Sequence, residues 1–175
     1  MPNHIINEVI FERPAAEHAA ILAASCNGEG KVDFGVLIPM PPQIWRGNVG
    51  TRHEAAFGKQ NTGLDWARAN WGTKWNAYKV REVEADEASL ALRFETAWSP
   101  PYPWLVALFN TVGSFRHNWL DEGRSRGVAG RFVTVDDDNI FVDPWTEEEA
   151  DEALHRHLHQ LLWGVEEFED EEAVS

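Results

Sequence analysis

A chain of 175 residues, 43% of them hydrophobic and including nine Trp and nine Phe, has the length of one domain and enough apolar side chains to fill a core, which excludes a disordered chain. Its single cysteine, Cys26, excludes an internal disulfide framework and a cysteine-based zinc site, and points to a reducing compartment. The net charge of −14 is uneven: residues 1–135 hold 14 acidic and 14 basic residues, whereas residues 136–175 hold 15 acidic residues and only Arg156, so direct binding to nucleic acid or an anionic membrane is disfavoured and a basic partner is favoured.

The amino terminus lacks the basic region and apolar run of a signal peptide, and no apolar stretch reaches the about eighteen residues of a membrane helix, so a soluble, cytoplasmic protein is expected. His4 to Phe11 reads as a strand covered on both faces. Pro14 opens a helix whose Ala15, Ala19, Leu22, Ala23 and Cys26 recur at helical spacing until Asn27-Gly28 stops it. Asp33 to Ile38 is expected to be a second strand, ended by Pro39, Pro41 and Pro42, giving a β-α-β opening. Residues 46–63, with four glycines among polar residues, read as a loop or insertion, and Leu64, Ala67 and Trp71 mark a short helix stopped by Gly72. Leu90 to Trp98 alternates as a strand, with Trp75 to Val83 expected as its hairpin partner across Ala85-Asp86-Glu87. Pro100 to Pro103 starts a helix carrying the stripe Trp104, Leu105, Leu108, Phe109 and Val112. Phe115, His117 and Trp119 then alternate as a strand, and Arg131 to Val135 adds another.

Thr146 with Glu149 forms a capping box, which predicts a helix over 146–164 with the apolar stripe Leu154, Leu158, Leu161 and Leu162 and a stop at Gly164. Residues 166–175 read as an acidic tail that frays. The expectation is a single α+β domain over residues 1–165.

Chemistry leaves few marks. There is no phosphate-binding loop, dinucleotide fingerprint or nucleophile elbow, so a non-enzymatic protein without cofactor or metal is expected. Cys26 lies on an apolar helix face. Of His155, His157 and His159, the first and last share one flank of the leucine stripe and His157 falls on the opposite flank, so three metal ligands do not converge. Asp136-Asp137-Asp138-Asn139 lacks the ligand spacing of a calcium loop. His117, Asp121 and Glu122 could meet at a strand end, and they carry the alternative of an enzyme acting on a nucleotide or nucleic acid. Trp71, Trp98, Trp104 and Trp119 read as core, while Trp45 and Trp145, beside prolines, are placed to contact a partner.

Three stretches together carry a resemblance. They are Met1-Pro2-Asn3-His4 with Asn7, Ile38-Pro39-Met40-Pro41, and Asn70-Trp71-Gly72-Thr73-Lys74-Trp75-Asn76-Ala77-Tyr78 leading through Phe94, Thr96, Ala97, Trp98, Ser99, Pro100 and Pro101. With these, the chain resembles the YubB ferredoxin-like family of phage, prophage and conjugative-plasmid proteins, in order from residue 1 to about 122 and again at Leu162-Trp163-Gly164. The resemblance implies a ferredoxin-like core, here with an inserted loop or helix and an added acidic C-terminal helix, and a gene carried on a mobile element; it implies no catalytic residues. Residues 123–145 depart from the pattern.

The expected function is therefore that of an accessory protein which binds and inhibits or modulates a host protein in the bacterial cytoplasm. Its acidic surface would imitate DNA to a basic or nucleic-acid-binding partner, as an anti-defence, anti-CRISPR-like inhibitor does. The partner-binding residues would be Asp136, Asp137, Asp138, Asp143, Trp145, Glu166, Glu167, Glu169, Asp170, Glu171 and Glu172. A virion-associated or assembly role is the further alternative.

Overall fold

Apolar residues on both faces of the first strand demand a covered, central position, and in the computed structural model, which describes residues 3–47, 50–123, 126–133 and 145–164, that strand lies within the sheet. In chain order the elements are β1 (His4–Phe11), α1 (Ala15–Ser25), α2 (Phe34–Leu37), α3 (Thr51–Phe57), a 3-10 turn (Lys59–Asn61), α4 (Gly63–Asn70), β2 (Glu84–Ala85), β3 (Leu90–Ala97), α5 (Tyr102–Val112), β4 (Phe115–Asp121), β5 (Val128–Phe132), β6 (Trp145–Glu149) and α6 (Glu152–Trp163). The sheet runs β2-β3-β1-β4-β5-β6, every neighbouring pair antiparallel.

The four strands β2-β3-β1-β4, with α1 between β1 and β2 and α5 between β3 and β4, form the β-α-β-β-α-β arrangement of a ferredoxin-like core, as expected. Both helices cover one face, where Val9, Phe11, Leu92 and Phe94 meet Ile21, Trp104, Leu105 and Leu108. The opposite face is covered by α6, whose Leu158 is sealed against Ile6 and Leu120, with Leu154, Leu161 and Leu162 packed around them. β5 and β6 extend the sheet beyond β4.

Several expectations are corrected or refined. Asp33 to Ile38 is not a strand. Asp33 accepts the Gly35 N–H (2.8 Å) and the Asn76 side chain accepts the Phe34 N–H (2.9 Å), so side chains take the donors that a strand would offer to a ladder. The chain turns into α2 instead, with Phe34 buried against Phe94 and Trp104. The second core strand is β2, and the expected hairpin partner 75–83 touches β3 only intermittently: Tyr78 bridges Glu95 and Arg81 N–H bonds Arg93 O, while Lys79 between them has φ 45° and interrupts the run. The turn itself is Asp86 to Ser89, held by the Asp86 carboxylate on the Ala88 and Ser89 amides. The loop 46–63 contains α3 and the 3-10 turn.

The strand expected over Arg131 to Val135 begins earlier, as β5 from Val128, and residues 134–135 lie outside the described residues; the early start brings Gly130 against β4, where a Cβ would stand 2.6 Å from His117 O. The last helix does not begin at Thr146. Residues 145–149 pair with β5, and the helix is capped by Asp151, whose carboxylate accepts the Leu154 N–H at 2.8 Å. Its end at Gly164, in the left-handed region, is as expected. No described helix is long and apolar enough to cross a membrane.

Candidate functional site

Of the acidic segment 136–175, residues 145–149 enter the fold as an edge strand. β6 pairs with β5 on one side and has no strand on the other among the described residues. Alternation turns Trp145, Glu147 and Glu149 to the α5 face and Thr146 and Glu148 to the α6 face. Trp145 is half-buried, stacked on Tyr102 (5.4 Å between centroids) and against Phe132. Glu147 accepts hydrogen bonds from Trp119 Nε1 (3.1 Å) and the Tyr102 hydroxyl, reaching across the space that Gly130 leaves. Glu148 and Glu149 are exposed, Glu149 lies 3.7 Å from Arg126, and Asp151 and Glu152 continue the acidic run into α6. Of the residues expected to bind a partner, only Trp145 is placed; Asp136, Asp137, Asp138, Asp143, Glu166, Glu167, Glu169, Asp170, Glu171 and Glu172 lie outside the described residues.

The histidines are structural in their contacts. On the α6 face Glu8 is 2% exposed and accepts from Arg93 Nε (2.8 Å), His157 Nε2 (2.8 Å) and Asn118 Nδ2 (3.2 Å). Burial alone would raise its carboxyl, but these donors prevail and hold it at about 2. His157 thus anchors α6, while His155, on the other flank, is buried and accepts the Gly127 N–H at 3.2 Å, with His159 beside it at 6.2 Å between rings. Among the described residues no three His, Cys, Asp or Glu side chains are grouped to hold a metal.

His117, Asp121 and Glu122 are not brought together. His117 is fully buried on the α5 face, its Nε2 bonds Asn7 Oδ1 at 3.1 Å, its Nδ1 has no hydrogen-bond partner among the described residues, and burial pushes it down to about 3. Asp121, four residues along the strand and so about 13 Å away, accepts from Asn3 Nδ2 and the Gly123 N–H, and Glu122 is exposed. Sealed and neutral, His117 forms no common site with Asp121 and Glu122.

Sequence reasoning missed a cleft. It lies between α2, α4 and residues 71–76, with a volume of about 920 Å³, floored by Val36, Pro39, Met40, Leu64, Ala67 and Trp71. The 71–76 segment is fastened at each step. Trp71 Nε1 donates to Ile38 O (2.9 Å), Gly72 at φ 85° lies against Pro103, Thr73 Oγ1 donates to Ala97 O (2.9 Å), and Asn76 Nδ2 donates to Asp33 Oδ1 (2.7 Å). Lys74 and Trp75 are thereby held outward. Lys74 Nζ sits 4.7 Å from the Trp75 ring centre and 4.3 Å from that of Trp98, which also carries the Arg68 guanidinium at 4.5 Å. Trp75 and Trp98 are each 41% exposed, so Trp98 is not core as expected, whereas Trp71, Trp104 and Trp119 are buried. The available signal was the interleaving of cations and tryptophans in Trp71, Lys74, Trp75 and Trp98. Pro39 and Met40 belong to another of the stretches that carry the resemblance, so two of the three meet in this cleft.

A family model described as the ferredoxin-like domain in Api92-like protein matches residues 70–174, from the end of α4 past α6. The match includes residues 123–145, which the resemblance left out. No curated protein and no solved structure gives a significant match.

Proposed function

We propose that this chain, which belongs to the family of the ferredoxin-like domain in Api92-like protein, is a non-enzymatic accessory protein of a mobile element. It binds a basic, nucleic-acid-binding surface of a host protein through its acidic C-terminal segment, and inhibits or modulates that protein in the bacterial cytoplasm. The observation that carries this reading is the edge: among the described residues β6 has no strand on its outer side, and it bears the exposed Glu148 and Glu149, with Asp151 and Glu152 following. An open strand edge offers backbone hydrogen bonds to a partner, and carboxylates along it give the charge complementarity that selects a basic one. The further reading is imitation of a phosphate backbone in an anti-defence, anti-CRISPR-like role, for which the excess charge of residues 136–175 is the support.

β6 and α6 are parts of the fold, so the charge has to be removed without removing them. The test is affinity capture from a bacterial lysate with the full chain and with a variant carrying Asp136→Asn, Asp137→Asn, Asp138→Asn, Glu148→Gln and Glu149→Gln and ending at residue 165. Basic proteins should be captured by the first and lost by the second. The same captured set with both would sink the reading.

A further inference from the structure

The tryptophan cleft differs from the acidic edge in chemistry and in place, since α2 and α4 pack into the core that lies under α1 and α5, on the sheet face opposite α6. Three features of it remain available to a ligand, although Arg46 also donates to Met40 O at 2.9 Å. First, Arg46 and Lys74 at its rim, and Arg68 beside them on Trp98, have no carboxylate partner among the described residues, in a chain of net charge −14. Second, Trp75 stands exposed at the mouth of an apolar floor, fixed there by the clamped backbone of residues 71–76. Third, Asp33 holds the Gly35 N–H and the Asn76 amide with Oδ1 alone, which leaves Oδ2 without a hydrogen bond among the described residues.

We propose that this cleft binds a nucleoside phosphate, with the base against the Trp75 indole, an exocyclic amine of the base donating to Asp33 Oδ2, and the phosphate held by Lys74 and Arg46. Each part of such a ligand answers one of the three features, and simpler ligands do not. Inorganic phosphate leaves the aromatic wall and apolar floor uncovered. A fatty acid covers the floor but offers Asp33 no donor. A volume of about 920 Å³ is ample for one nucleotide. Indole faces accept any base, so selectivity rests on the amine: adenine, cytosine and guanine carry one and uracil does not.

The experiment is titration of the full chain with AMP, CMP, GMP and UMP, and separately with adenosine, inorganic phosphate and dodecanoate, followed by calorimetry and by the indole N–H signals in NMR. At least one of the three amine-bearing nucleotides should bind more tightly than UMP, adenosine and phosphate, and should move the Trp75 indole signal while leaving buried Trp104 unmoved. Trp75→Ala and Lys74→Gln should each weaken binding about tenfold or more, with unchanged melting temperature because both side chains reach solvent. No nucleotide binding, a shift at Trp104 in place of Trp75, or dodecanoate binding as tightly as any nucleotide would each overturn the proposal. The NMR readout uses the unsubstituted chain, so the proposal stays testable even if a variant fails to fold.

Discussion

At the scale of single residues, the buried His117 and Glu8 both contribute to the acid sensitivity of the fold. His117 is depressed from 6.5 to about 3 by burial, so the unfolded chain takes up this proton first as pH falls, and the stability that neutral His117 leaves intact above pH 6.5 is lost on the way down. Between pH 6.5 and 5 the loss amounts to about 2 kcal/mol. Glu8, lowered from 4.5 to about 2, acts in the same direction in a lower window: its contribution is whole above pH 4.5 and is lost as pH falls towards 2, on the order of 3 kcal/mol in all. Urea unfolding at pH 7.5, 6 and 5 should therefore show a falling free energy, and His117→Gln, which keeps a donor for Asn7, should flatten that slope; an equally steep slope in the variant would place the proton elsewhere. Gly72 is a second case. A Cβ there would lie 2.4 Å from Pro103 Cδ at φ 85°, so Gly72→Ala should destabilise by about 2 kcal/mol or more in the same assay. That Gly72 ends a helix was legible in the sequence. Its contact with Pro103, about thirty residues later, was not, because proximity of that kind is a property of the tertiary fold.

Among the elements, those with a long period were readable: α5, β1, β3 and β4 lie where spacing put them, because each buries a whole face and the hydrophobic pattern repeats several times. α1 has the expected bounds but buries His18, Ile21 and Ser25 and leaves Ala15, Ala19 and Ala23 exposed, since alanine spacing alone does not mark a face. α2 and β6 were not readable, since each is decided by a few side chains competing for backbone groups. At α2 Asp33 and Asn76 take the amides; at β6 two residues able to cap a helix, Thr146 and Asp151, follow one another, and the packing of Trp145 on Tyr102 draws the first into the sheet. The two helix starts are separable by substitution. Asp151→Ala should cost about 1 kcal/mol through loss of the Leu154 amide bond, while Thr146→Ala, an exposed strand position, should change stability by less than about 0.5 kcal/mol. Chemical denaturation of the two variants decides it, and the reverse ranking would restore the helix at Thr146.

For the molecule as a whole, charge was the most legible property and convergence the least. Counting residues located the acidic segment 136–175, yet the cleft gathers side chains from 33–40, 46–47 and 63–76, and no local pattern announces that these meet. The result is a body with two chemically opposite surfaces, a carboxylate edge at β6 and a cation-bearing tryptophan cleft on the α5 side of the sheet. The central claim concerns the edge, and the measurement that bears on it most directly is the dissociation constant for the captured basic partner, taken with the full chain across a series of rising salt concentrations. A charge-reading interface predicts steep weakening with salt, and a shallow dependence in the variant neutralised at Asp136, Asp137, Asp138, Glu148 and Glu149 and ending at residue 165. Affinity that is flat with salt in the full chain, or equal in both proteins, would contradict it.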